Sequence, residues 1–235
     1  MTQTQNIYEM DAAGVTVRQN AFVTKVFGWM AGGLLLTAVI ALGVANSPGI
    51  LRLVYGNPGV LIGLIIGELV LVVALSAGIN RMSAGVATGL FLLYAAVNGV
   101  TLAFVFLMYT KASIATTFFV TAGTFGTMCV YGYVTKRDLT SLGSLCFMGL
   151  IGLIIGSVVN LFWANETLYW LVTYAGVLVF VGLTAYDTQK IKRMGLAIGS
   201  DGPAAQKAAV LGALAIYLDF INLFLLLLRI LGRRR

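Results

Sequence analysis

Three acidic residues lie within or at the ends of long apolar runs: Glu68, Asp187 and Asp219. Asp219 stands near the middle of Ala215-Ile-Tyr-Leu-Asp219-Phe-Ile-Asn222-Leu-Phe-Leu-Leu-Leu-Leu228, a stretch apolar enough for a bilayer. An ionisable group at mid-bilayer costs roughly 2.5–3.5 kcal/mol on insertion scales, so it faces the protein interior and finds a partner. Counted along a helix, Gly212, Ala215, Asp219 and Asn222 share one face in steps of three or four. The small residues on that stripe let neighbouring helices come close. The pattern predicts a central helix surrounded by protein.

Asp187 closes the preceding apolar run in Thr184-Ala-Tyr-Asp-Thr-Gln-Lys190. One loop joins the two runs, so the two aspartates can be neighbours. Two carboxylates in a poorly hydrated site titrate as a unit, which makes a proton-sensitive switch without histidine. Ionised, they offer the hard oxygen ligands that Ca²⁺ prefers. Arg81, at the end of the second run, is a cation able to close such a site by pairing with them. Glu68, Asn98 and Asn222 are the further polar candidates for a pathway. Each residue also has a structural reading. Asp187 can pair with Lys190 three positions on. Asp219 can make an interhelical hydrogen bond, Glu68 can be a protonated structural group, and Arg81 can mark topology alone. Tyr94 and the face carrying Thr121, Thr124 and Thr127 read as helix packing.

The elements that must position these groups follow from composition. The 235 residues are 60% hydrophobic and 10% charged, with a mean hydropathy of +0.96. A soluble domain is about 45–50% apolar and about 25% charged. Continuous rather than alternating apolar runs predict an all-α polytopic membrane protein. Spans are expected at 26–45, 59–79, 84–108, 112–134, 141–163, 168–188 and 208–230. Residues 1–22 form a polar cytoplasmic tail without signal-peptide character, and residues 23–235 form one seven-helix domain. The longest loop is expected between Thr188 and Lys207.

Orientation follows from Lys and Arg. With the N-terminus cytoplasmic, nine fall on that side, and Arg52 and Lys111 fall outside before the tail. Seven full spans add Arg229, Arg233, Arg234 and Arg235 to the outside. The alternative is a re-entrant last segment that returns the tail to the cytoplasm.

The net charge of +7 belongs to membrane topology rather than to nucleic acid. There is no histidine, which removes His-based catalysis and most transition-metal sites. No zinc-protease, serine-hydrolase or phosphate-loop motif is present, so no enzyme activity and no cofactor is expected. The last run lacks the lysine a retinal protein needs. Asp187 lacks the following Gly-x-Gly-Asp of an intramembrane aspartyl protease. Cys129 and Cys146 have no CxxC spacing and read as buried free thiols.

Ile62-Gly-Leu-Ile-Ile-Gly67 recurs as Ile151-Gly-Leu-Ile-Ile-Gly156, an offset of 89 that maps spans one to three onto four to six and Asn98 onto Asp187. An odd number of spans per half would invert the halves, as in many transporters. Both copies carry GxxxG, which predicts close packing of spans two and five.

Three segments together resemble the Bax inhibitor-1 (transmembrane Bax-inhibitor-motif) family, its bacterial inner-membrane members in particular. They are Tyr131-Gly-Tyr-Val-Thr-Lys-Arg-Asp-Leu139, Gly182-Leu-Thr-Ala-Tyr-Asp187-Thr-Gln-Lys-Ile191 and Tyr217-Leu-Asp219-Phe-Ile-Asn-Leu-Phe224. The likeness runs from Phe27-Gly-Trp-Met30 to the end of the chain. It implies seven helices, as two three-helix layers around the last. It also implies a pH-sensitive calcium leak with Asp187 and Asp219 as sensor and cation site, Arg81 as latch, and Glu68 matching a glutamate of the second helix. The motif around Arg81 departs from the family's pattern. Some bacterial relatives are described as modulators of a membrane-bound AAA protease, which implies an interaction protein as a second class of function. The inverted halves suggest a third, a proton-coupled transporter. The implied partners are the lipid bilayer, Ca²⁺ and protons.

Overall fold

The computed structural model describes the backbone of residues 3–235, and the side chains of residues 16–235. The helices are α1 (Gln3–Ala45), α2 (Pro48–Tyr55), α3 (Pro58–Gly78), α4 (Ala84–Leu102), α5 (Phe104–Met108), α6 (Lys111–Val134), α7 (Thr140–Trp163), α8 (Glu166–Ile198) and α9 (Gly202–Leu231). A 3-10 turn, Ile79–Arg81, separates α3 from α4. Among the described residues there is no β-strand.

Seven segments are long and apolar enough to cross a membrane: Thr16–Ala45, Pro58–Arg81, Ala84–Met108, Lys111–Val134, Thr140–Trp163, Glu166–Ile198 and Gly202–Leu231. The second to fifth end within about two residues of the expected bounds, because each is closed by turn chemistry. Pro48 and Pro58 open α2 and α3. The hydroxyls of Ser83 and Thr110 accept the amides of Val86 and Ser113 at the starts of α4 and α6.

Two expectations change. The polar N-terminal segment is no separate tail over its described part: α1 runs from Gln3 without a break into the first span. Residues 1 and 2 lie outside the described residues. The long loop expected over 188–207 is almost all helix. α8 continues to Ile198, and only residues 199–201 separate it from α9. Nothing in 188–198 breaks a helix, and Ile191 and Gly195 bury one face of the extension. The break comes at Gly199 and Gly202, both in the left-handed region with φ of +78° and +87°, where glycine costs least.

The chain divides into two compact units. The first is Met1–Phe104 with Lys190–Leu214, and the second is Val105–Gln189 with Ala215–Arg235. Each holds three of the first six spans, the division that the 89-residue offset marks in the sequence.

In the first unit, Thr37 donates to the Ala95 carbonyl at 2.8 Å and ties α1 to α4. α4 breaks at Ala103 and restarts as α5. Irregular backbone at membrane depth needs other partners, and Tyr55 supplies them. Its hydroxyl accepts the Phe104 amide at 3.0 Å and lies 2.9 Å and 3.1 Å from the carbonyls of Val100 and Thr101.

In the second unit, the chain end folds back on the turn between α5 and α6. Tyr109 bridges Arg234, the Arg233 carbonyl accepts the Thr110 amide at 3.2 Å, and the Arg235 amide donates to Met108. α9 is therefore one continuous crossing and not a re-entrant segment. Its tail shares a side with Lys111, as seven full spans require.

Burial sorts the spans. In its most apolar window α9 is 61% buried, against 6% for both Pro58–Arg81 and Thr140–Trp163. α9 is thus the span most enclosed by protein, as its carboxylate demanded. The paired GxxxG runs lie on the least buried spans instead. A Cβ at Gly63, Gly67 or Gly152 would meet nothing within 4 Å, whereas one at Gly156 would meet Val172 of α8 at 3.0 Å.

Two outcomes test this description. Burial pushes the Tyr55 hydroxyl above its ordinary value, partly offset by the bond from Phe104. Its contribution is then full below about pH 10 and lost as pH rises through the raised value. Tyr55→Phe should cost about 1 kcal/mol, read as a lower melting temperature in detergent at neutral pH. A melting temperature equal to wild type would remove the role of Tyr55 at the break. Single cysteines at Lys111 and Arg235, in a Cys129→Ala/Cys146→Ala background, should label from the same face of sealed vesicles, and one at Lys136 from the other.

Candidate functional site

Asp219 is only 4% exposed. Its carboxyl interacts with that of Asp187 through charge and through a side-chain hydrogen bond. Its Oδ2 is buried with no hydrogen-bond partner, the position a further proton, water or cation would satisfy.

Small residues bring α8 to this place. Gly132 of α6 lies against the Ala185 carbonyl, and a Cβ there would overlap it. A Cβ at Gly143 of α7 would meet the Tyr186 ring at 2.5 Å. The Gln189 side chain then fixes the register of α8. Its Oε1 accepts the Leu139 amide at 2.9 Å, and its Nε2 donates to the Arg137 carbonyl at 2.8 Å. Phe220 seals the neighbouring turn of α9, edge-on to Phe125 and Phe118 at 5.3 Å and 5.6 Å between centroids. Thr124 and Thr127 spend their hydroxyls on carbonyls of their own helix, as membrane-helix threonines do.

Glu68, Asn98 and Arg81 belong to the first unit. Glu68 Oε1 lies 2.6 Å from the Thr101 hydroxyl, and its Oε2 accepts from Asn98 at 3.5 Å. Thr101 also donates toward the Asn98 carbonyl at 3.0 Å. This polar cluster sits beside the α4–α5 break. Arg81 ends the exposed 3-10 turn. Asn222 uses its Nδ2 on the Leu218 carbonyl one turn back at 2.8 Å.

Sequence reasoning missed Thr101, although Asn98-x-x-Thr101 puts two polar side chains on one face of a membrane helix. It also missed what stands beside the aspartates. Asp219 exerts its charge on the buried thiols of Cys129 and Cys146, and Cys129 hydrogen-bonds the Thr188 side chain. Residues 59 to 90 positions apart meet here only through the fold.

The family model described as inhibitor of apoptosis-promoting Bax1 matches residues 19–235. The chain belongs to the Bax inhibitor-1 family. Among members of the family, the inner membrane protein YbhL of Escherichia coli K12 is 56% identical over 215 residues, which is 91% of this chain and 92% of that protein. An uncharacterized protein of Borreliella burgdorferi is 46% identical, over 92% of this chain and 94% of its own. The uncharacterized protein RP147 of Rickettsia prowazekii is 45% identical, over 91% and 90%. The three segments that carry the family resemblance hold the contacts just described: Gly132 and Leu139 in the first, Ala185, Asp187 and Gln189 in the second, Asp219 and Phe220 in the third.

Gly132→Val should therefore destabilise the protein by about 1–3 kcal/mol or more through overpacking. It should also raise alkylation of Cys129 by a membrane-permeant maleimide. Unchanged stability and labelling would show that α6 and α8 do not depend on this approach.

Proposed function

We propose that this Bax inhibitor-1 family membrane protein is a passive, proton-responsive leak for Ca²⁺. Asp187 and Asp219 act as its sensor and cation site. The observation that carries the reading is the buried Asp219 carboxyl, held against Asp187 with one oxygen unpartnered inside a membrane span. Ionised, the pair offers carboxylate oxygens to a hard cation. Protonated, it loses charge and ligands together. Ca²⁺ in a dedicated site takes about six to eight oxygens. Among the described residues no group of three or more His, Cys, Asp or Glu gathers to hold a metal. Two carboxylates suit an ion in passage better than one held. No cofactor takes part in this reading.

Arg81 is proposed as the latch on the strength of the resemblance alone. The Glu68–Asn98–Thr101 cluster is proposed as a second polar step on the pathway. The location proposed is a bacterial inner membrane, as the name of the Escherichia coli relative states for that protein, with the N-terminus cytoplasmic as the Lys and Arg distribution favours.

The test is Ca²⁺ uptake into dye-loaded liposomes containing the purified protein, stepped from mildly acid to mildly alkaline pH. Wild type should show a leak whose rate changes with pH, and Asp219→Asn should flatten that change. A pH profile unaltered in Asp219→Asn and in Asp187→Asn would overturn the reading. Arg81→Gln should alter the rate at the pH where wild type is least permeable.

A further inference from the structure

Two adjoining cavities of the second unit, of about 480 and about 310 Å³, share Ser157, Val172 and Arg229. Together they form one cleft among α7, α8 and α9. Its upper part carries Asn160, Asn165, Glu166 and Arg229 among apolar side chains and lies where α7 ends and α8 begins. There Ala164 takes the left-handed conformation, and the turn is closed by Asn160 and Asn165. Asn160 Oδ1 accepts the Asn165 amide and Asn165 Oδ1 accepts the Leu168 amide, both at 2.9 Å. Phe162 and Trp163 beside the turn are 81% and 78% exposed, the signature of an aromatic belt at the membrane–water boundary. The lower part is lined by Leu153, Ile154 and Val158, of which Ile154 and Val158 are exposed. The cleft therefore combines a polar mouth at headgroup depth with an apolar wall open to acyl chains.

The mouth carries one fixed charge of each sign. The Arg229 guanidinium lies over the Tyr169 ring, 5.4 Å from its centroid. Glu166 also lines the mouth and stands three residues before Tyr169, so both occupy one face of α8. A phosphate is the natural partner of a guanidinium, and an ammonium is that of a carboxylate.

From this charge complementarity we propose that the cleft is a binding site for a phospholipid bearing a primary ammonium, phosphatidylethanolamine in chemical class. Arg229 takes the phosphate, Glu166 takes the ammonium two carbons away, and one acyl chain lies along Leu153, Ile154 and Val158. An anionic lipid without the amine would meet the Glu166 carboxylate unpaired. A choline headgroup offers no N–H to it. Neither aspartate lines the cleft, although Asn222, one turn from Asp219, lines its lower part, and the inference does not depend on what the pair does.

The experiment is native mass spectrometry of the intact protein in mild detergent, offered equal amounts of phosphatidylethanolamine, phosphatidylglycerol and phosphatidylcholine. Wild type should retain phosphatidylethanolamine preferentially. Arg229→Gln should lower retention of both phosphatidylethanolamine and phosphatidylglycerol by about tenfold, the loss expected for one charge-assisted contact. Glu166→Gln changes an exposed side chain, so it leaves the fold intact. It should erase the preference for phosphatidylethanolamine over phosphatidylglycerol while total retention stays. Equal retention of the three lipids by wild type would overturn the proposal, and so would a wild-type preference unchanged in Glu166→Gln. The first result would mean non-selective annular lipid only. The second would leave Glu166 as a purely structural neighbour of Arg229.

Discussion

One carboxyl in the most enclosed span constrains the rest of this protein. Asp219 cannot face lipid at acceptable cost, so α9 must be wrapped by other helices. Its most apolar window is 61% buried, against 6% for α7, which carries no charged residue, and 6% for α3, whose Glu68 is met by Asn98 and Thr101 of α4. The carboxyl must also have a partner, and that partner is a second carboxyl, Asp187. Like charges in one dry site are stable only with a proton or a cation between them. The need to hold one or the other is the chemistry that the surrounding contacts maintain.

Those contacts are backbone approaches and not long side-chain pairings. α8 reaches its position because Gly132 has no Cβ to meet the Ala185 carbonyl, and because Gly143 gives room to the Tyr186 ring. Gln189, two residues past Asp187, locks to the turn before α7 with both ends of its amide. The segments shared with the family are therefore a mutual packing set. Each presents small or amide-bearing residues to another, and the aspartates are carried at the point where they meet.

Much of this was legible in the chain. Continuous apolar runs and their turn residues set the seven spans, and the steps from Gly212 to Asn222 marked α9 as enclosed. The extension of α8 was not legible from polarity. Lys190, Lys192 and Arg193 read as a loop, but Ile191 and Gly195, one helical turn apart, are buried, and the first real breaker is Gly199. Of the four glycines in the two GxxxG runs only Gly156 meets a neighbour, Val172 of α8, and the spacing alone does not tell which glycine does. The chain end was undecidable from charge, since four arginines in the tail oppose the count on the other loops. Pairing of residues 233–235 with the turn at Met108–Thr110 decides it by hydrogen bonds between segments far apart in sequence. The proximity of Cys129 and Cys146 to Asp219 is likewise a product of helix packing that no local pattern carries.

The central claim is that Asp187 and Asp219 act as one titrating unit. A double-mutant cycle on the pH profile of Ca²⁺ flux measures this most directly, with Asp187→Asn, Asp219→Asn and the double variant in the same liposomes. If the pair is one unit, the double variant behaves like either single variant, and the coupling between the two changes is as large as either change alone. If the two single effects add, the carboxyls titrate independently, and the account of a shared site in α8 and α9 is wrong.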